Sequence, residues 1–116
     1  MPTGWDTAQP LWERGVVGRA PTPFQRAVHE VLVDLRRGQV VSYSWVAHEA
    51  GSPNGARAVG GYLRNHPDPP NWWRVVAANG SLVSPDAELQ AALLRDEGHR
   101  VDGGRVRPLP EHPGRT

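Results

Sequence analysis

From residue 22 onward the apolar positions first recur every three or four residues. Phe24, Ala27, Val28, Val31, Leu32 and Leu35 fall on one face of a helix. Thr22 before Pro23, with Gln25 three residues on, has the form of a capping box with proline at the first helical position, and Gly38 is the expected stop. Val40 and Val41 make a short extended lead-in. Ser42 is placed to cap a second helix in which Trp45, Val46 and Ala50 turn inward and which Gly51 closes. After the turn Ser52-Pro53-Asn54, a third helix is expected from about Gly55 to Asn65. Val59 and Leu63 are its apolar anchors, and Ala56, Ala58, Gly60 and Gly61 are its small residues. Two short helices joined by a tight turn read as a helix-turn-helix.

The pattern then changes period. His66 to Trp72 holds three prolines and is expected as irregular extended chain, Val75-Val76 as a strand and Asn79-Gly80 as a hairpin turn. Ser84-Pro85-Asp86 opens a last helix, with Leu89, Ala92 and Leu93 along its inner face and Gly98 at its end. Val101–Val106 around Asp102-Gly103-Gly104 suggests a small hairpin. Residues 1–21 are rich in Pro and Gly and read as a tail packing locally through Trp5 or Trp12. Residues 108–116 read as a disordered tail. The expected fold is mainly α with short β hairpins, a helix-turn-helix or winged-helix-like DNA-binding domain over residues 22–107.

Composition narrows the chemistry. A chain of 116 residues with 38% hydrophobic content buries one modest core. The absence of cysteine excludes disulfides, thiolate metal sites and thiol catalysis. His29, His48, His66, His99 and His112 fall in no metal-ligand spacing, so neither metal nor cofactor is expected. No apolar run reaches the roughly 20 residues a bilayer span needs, and a cytoplasmic monomer is the expectation. The net charge of +1 announces no polyanionic partner, but all 13 basic residues are arginine, the side chain suited to bidentate phosphate and base contacts.

Four segments occur in order: Gly38-Gln39-Val40-Val41-Ser42-Tyr43, Ala56-Arg57-Ala58-Val59-Gly60-Gly61, Arg64-Asn65, and Trp72-Trp73-Arg74-Val75-Val76. Over about residues 22–98 this set resembles the DNA-binding domain of the O6-alkylguanine-DNA alkyltransferases, and in particular their alkyltransferase-like branch. The resemblance implies that the third helix enters the minor groove, with Ser42, Tyr43, Ala56, Arg57, Ala58, Gly60 and Gly61 against DNA. Arg57 would fill the gap left by a flipped nucleotide and Tyr43 would contact the adjacent phosphate. Helix packing explains the two glycines equally well. Around the lesion the resemblance implies Trp72, Tyr43, Asn65, Trp73, Arg74 and Val75.

The family's Pro-Cys-His-Arg motif reads Asn71-Trp72-Trp73-Arg74 here, so the alkyl-accepting thiolate and its histidine are both replaced. Indole is neither nucleophile nor base at neutral pH, which excludes alkyl transfer through this site. Asn71 in place of proline is expected to loosen the loop and Trp73 in place of histidine to add bulk. On extended chain adjacent side chains point to opposite sides, so Trp72 is expected to face the flipped base and Trp73 the protein. The family's Tyr-Ser-Gly-Gly loop gives way to Ser81-Leu82-Val83-Ser84-Pro85, and Asp96-Glu97-Gly98 reads as a solvated helix end. The implied function is non-catalytic recognition of O6-alkylguanine in duplex DNA and its flagging for nucleotide excision repair proteins. Without the resemblance, the same helices also describe a transcriptional regulator that reads the major groove without flipping a base, or an interaction module that does not bind DNA.

Overall fold

The computed structural model describes residues 21–114, so the expected contacts of Trp5 and Trp12 lie outside the described residues. Helix α1 spans Pro23–Val33 and begins with both halves of the capping box: the Gln25 N–H donates to Thr22 Oγ1 at 3.1 Å, and the Thr22 N–H donates to Gln25 Oε1 at 3.0 Å. It stops at Val33, short of Gly38. That glycine, at φ +85°, serves the separate turn that brings the chain into β1, while Leu35 is buried from outside the helix.

Strand β1 (Val41–Ser42) leads into α2 (Tyr43–Glu49), whose first turn is capped by Ser42 Oγ accepting from the Trp45 N–H at 2.9 Å. Helix α3 (Ala56–Asn65) follows, capped at Gly55. A 3-10 turn at Trp72–Arg74 then feeds β2 (Val75–Val76), which pairs in parallel with β1 in the register Val41 to Val75 and Ser42 to Val76.

This two-stranded ribbon is the seam of the molecule, because successive residues on a strand face opposite sides. Val41 and Val75 join Val28, Leu32, Val46, Val59 and Tyr62 in a cluster under the three helices. Val40 and Val76 join Ala91, Leu94, Val101 and Val106 in a second cluster under α4 (Ala87–Asp96) and the hairpin of β3 (Arg100–Asp102) and β4 (Arg105–Arg107).

Three expectations are corrected. The inner face of α4 is Gln90, Ala91 and Leu94, whereas Leu89 is 54% exposed and Ala92 is exposed. The buried amide of Gln90 donates to the carbonyls of Trp73 and Val75 at 3.1 and 2.9 Å, so a polar residue takes a position that hydropathy alone assigns to leucine. The Asn79-Gly80 turn forms as expected, the Gly80 N–H donating to the Ala77 carbonyl at 2.8 Å and the Ala77 N–H to the Ser81 carbonyl at 3.0 Å, but the chain beyond it does not continue along β2. Ser81 instead bridges to Arg105, Leu82 N–H donates to the Gly104 carbonyl at 2.8 Å, and Val106 N–H donates to the Gly80 carbonyl at 2.9 Å. The segment after Arg107 is also placed. Pro110 is buried, and Glu111 lies parallel to Val41, accepting from the Ser42 N–H and donating to the Val40 carbonyl, both at 2.9 Å. The outer edge of β1 carries buried backbone groups that need partners, and this segment supplies them.

Candidate nucleic-acid interface and base cavity

On α3, Val59 and Tyr62 point inward, so the helical period places Arg57, Gly61 and Arg64 on the opposite stripe, flanked by Ala58 and Asn65. Arg57, Ala58, Arg64 and Asn65 are exposed, and a Cβ added at Gly61 would meet nothing within 4 Å. Helix packing therefore does not account for Gly61; its effect is to leave a shallow surface between two arginines. At Gly60 an added Cβ would lie 3.3 Å from the Arg64 guanidinium, so this glycine makes room for the arginine folding back along its own helix. Ala56 is half-buried at the helix start. Ser42 is 1% exposed, its hydroxyl shared between the α2 cap and His112 Nδ1 at 2.8 Å, so it presents no surface to DNA.

Beside this stripe opens a cavity of about 360 Å³, within the range of small-ligand sites. Tyr43, Gly60, Trp72 and Val75 line it, as do Leu63, Arg64, Val83 and Leu89. Burial pushes the Tyr43 phenol up, with the nearby Arg64 charge opposing the shift, so the hydroxyl stays protonated at neutral pH and able to donate. Asn65, Trp73 and Arg74, expected at the pocket, do not line it.

The reason lies in residues 71–74. Asn71 takes a left-handed conformation (φ 54°, ψ 26°) and starts a 3-10 turn, so Trp72 and Trp73 stand on a tight turn and not on extended chain. Their rings are perpendicular, 6.2 Å apart, and the division expected from extended geometry arises from this turn instead. Trp73 packs on the second core cluster, donates its indole N–H to Glu97 Oε2 at 2.8 Å, and lies under the Arg74 guanidinium, 5.0 Å from its ring centroid.

Arg74 is 7% exposed and makes a paired contact with Glu97, Nη2 donating at 2.7 Å and Nε at 3.1 Å, while Nη1 donates to the Leu35 carbonyl and to Asn71 Oδ1. Burial alone would raise the Glu97 carboxyl. The hydrogen bonds from Arg74, the Gly38 N–H and the Trp73 indole, with the Arg74 charge, outweigh it and hold the group at about 2. Glu97 is therefore no solvated helix end. Nor is the loop loosened at Asn71, whose amide donates to the Leu32 and Leu35 carbonyls at 2.7 and 3.3 Å. Arg64, Gln90 and Glu97 belong to the site and its supports although sequence reasoning gave them no such role. Only Arg64, four residues after Gly60 on a helix, carried a local signal.

The family model for the 6-O-methylguanine DNA methyltransferase, DNA binding domain, matches residues 23–99. The DNA base-flipping protein of Escherichia coli K12 is 39% identical over 84 residues, 69% of this chain and 65% of that protein. The human methylated-DNA–protein-cysteine methyltransferase is 36% identical over 81 residues, 66% of this chain and 39% of that protein. The matched stretch thus spans less than two thirds of either relative. Among solved structures, S. pombe Atl1 in complex with damaged DNA containing O6-carboxymethylguanine shares the fold with a TM-score of 0.63 at 24% identity, covering 76% of this chain and 89% of that one. Mycobacterium tuberculosis O6-methylguanine methyltransferase gives a TM-score of 0.60 at 32% identity over 67% of this chain and 50% of that one.

Proposed function

Since the chain belongs to the family of the 6-O-methylguanine DNA methyltransferase DNA-binding domain, as an alkyltransferase-like member, we propose that it recognises O6-alkylguanine in duplex DNA by turning the base into the cavity beside Trp72, without chemistry on it. The observation that carries this reading is the position of the cavity, which shares Gly60 and Arg64 with the arginine-flanked helix that a duplex would approach.

Extruding a base costs a few kcal/mol of stacking, least for a damaged one. A cavity walled by Trp72, Leu63, Val75 and Leu89 returns part of that through aromatic and apolar contact, and an alkyl group on O6 adds surface that bare guanine lacks. Arg57 on the outward stripe suits the gap in the duplex, and the protonated Tyr43 hydroxyl suits the neighbouring phosphate. Acceptance of the alkyl group is ruled out at a thiol because the chain has no cysteine. On the same reading the protein acts as a cytoplasmic monomer, nucleoid-associated in a bacterial cell, and nucleotide excision repair proteins are the next partners of the marked site. That step is supported by the resemblance to the alkyltransferase-like branch.

The test is a pair of binding titrations on duplexes that differ by one O6-methylguanine. Tighter binding to the damaged duplex is expected, with no label from a radiolabelled methyl group appearing on the protein. Equal affinity for both duplexes, together with preference for a particular sequence, would favour a transcriptional regulator and end the reading. Within the same assay Arg57→Ala should weaken binding by about 1–3 kcal/mol, the scale of one stacking or bidentate contact, with an unchanged melting curve because the side chain is exposed. Full affinity in the folded variant would show that Arg57 does not enter the duplex.

A further inference from the structure

The β3–β4 hairpin lies beyond residues 23–99, which the family model matches, and its residues take no part in the cavity. Its strands alternate strictly. Val101 and Val106 are buried against α4, while Arg100, Asp102, Arg105 and Arg107 face solvent. The register sets Arg100 opposite Arg107 and Asp102 opposite Arg105. Like charges directly opposed across a ladder destabilise it, and a bound anion would remove that penalty.

Asp102 accepts from Arg100 at 3.3 Å, which leaves Arg105 and Arg107 without an ion-pair partner among the described residues. The ribbon that carries them is held firmly. The Gly103-Gly104 turn has φ of 59° and 75°, Leu82 and Gly80 tie it to the preceding loop, and Arg95 Nη2 donates to the Val101 carbonyl at 2.7 Å. A partner would need to order only the arginine side chains.

We propose that this face of the hairpin binds the phosphate backbone of duplex DNA, as a contact indifferent to sequence and to damage. Guanidinium groups match phosphate oxygens in planar, two-pronged fashion. The four outward residues are all charged, so the face lacks the aromatic or apolar anchor on which protein interfaces depend, while counterion release from DNA needs only the positive charges. The inference rests on the reading that the chain meets duplex DNA and not on base flipping.

The experiment measures binding of the full chain to undamaged and O6-methylguanine duplexes over a series of NaCl concentrations, for the unaltered protein, for Arg105→Gln/Arg107→Gln and for Asp102→Asn. Each phosphate contact contributes about 0.9 to the slope of log affinity against log salt, so the double variant should lose roughly 2 from that slope and bind both duplexes at least about tenfold more weakly near 0.15 M salt. The ratio between the duplexes should stay within about twofold. Asp102→Asn should bind both more tightly. Circular dichroism melting confirms that the variants, altered at exposed side chains, are folded. An unchanged slope in the folded double variant overturns the proposal and leaves the face to another partner, such as an acidic protein. A loss confined to the damaged duplex also overturns it. If the unaltered protein shows no preference for damage, the base-cavity reading fails, yet the slope on undamaged DNA still decides the role of the hairpin.

Discussion

Replacing Arg74 by leucine lowers the stability of the fold by about 3–5 kcal/mol, the scale on which removing one partner strands a buried charge. Arg74 is 7% exposed, and its guanidinium satisfies the Glu97 carboxylate, the Leu35 carbonyl and Asn71 Oδ1 together. Leucine leaves all three without that donor and leaves Glu97, with its side chain 4% exposed, ionised in the interior. Urea unfolding of Arg74→Leu, Glu97→Leu and the double variant measures this. The double variant should recover a large part of the loss because no charge is then stranded. Should either single variant unfold like the unaltered chain, the ion pair is not a structural centre. The Glu97 carboxyl, held at about 2 against an ordinary 4.5, also fixes a direction with pH. Its pKa is depressed on folding, so its contribution is complete above the unfolded value near 4.5 and is lost as pH falls through 2. Arg74→Leu should therefore lose more stability, relative to the unaltered chain, at pH 6 than at pH 2.

The second large effect concerns affinity. Trp72→Ala should lower the ratio of damaged to undamaged binding by about five- to 150-fold, corresponding to the roughly 1–3 kcal/mol that an aromatic contact with a base supplies. Trp72 lines the cavity while Trp73 is turned into the second core and bonded to Glu97, so the two truncations should divide cleanly. Trp73→Ala should cost stability first. Trp72→Phe, which keeps an aromatic face, should retain most of the discrimination. Titrations and melting curves on the three variants check this. If Trp73→Ala removes discrimination at unchanged stability while Trp72→Ala keeps it, the cavity assignment is off by one residue.

Local chemistry made much of this architecture legible. The Thr22–Gln25 capping box, the Ser42 cap and the Gly103-Gly104 hairpin each lie within a few residues of one another in the chain, so their patterns can be read directly. The features that escaped depend on residues far apart. Nothing near Glu97 points to Arg74, 23 residues earlier, and nothing near Gln90 points to the two carbonyls it braces. Hydropathy assigns the inner face of α4 to leucines and passes over Gln90, which is buried because its amide serves two carbonyls. The composition of the tail after Arg107 points to disorder because composition does not register an open backbone edge elsewhere in the fold. At the site Trp72 lines the cavity and Trp73 packs on the core because of a 3-10 turn, and Asn71 in a left-handed conformation is invisible to a reading that treats the loop as extended.

The pairing of Glu111 with Val41, reinforced by His112 on Ser42 across 70 residues of sequence, has a consequence for biosynthesis. On the ribosome, α1, α2 and α3 emerge early and can associate through contacts close in sequence, but the edge of β1 that anchors α2 stays open until residues 111 and 112 have cleared the exit tunnel. The nascent chain thus passes through a stage in which its first three helices are formed over an incomplete sheet. Contacts of this span form slowly because the intervening chain must first be brought together. Closure of the sheet therefore comes after the helices have formed, and a ribosome stalled before residue 111 displays helices without the segment that completes their support.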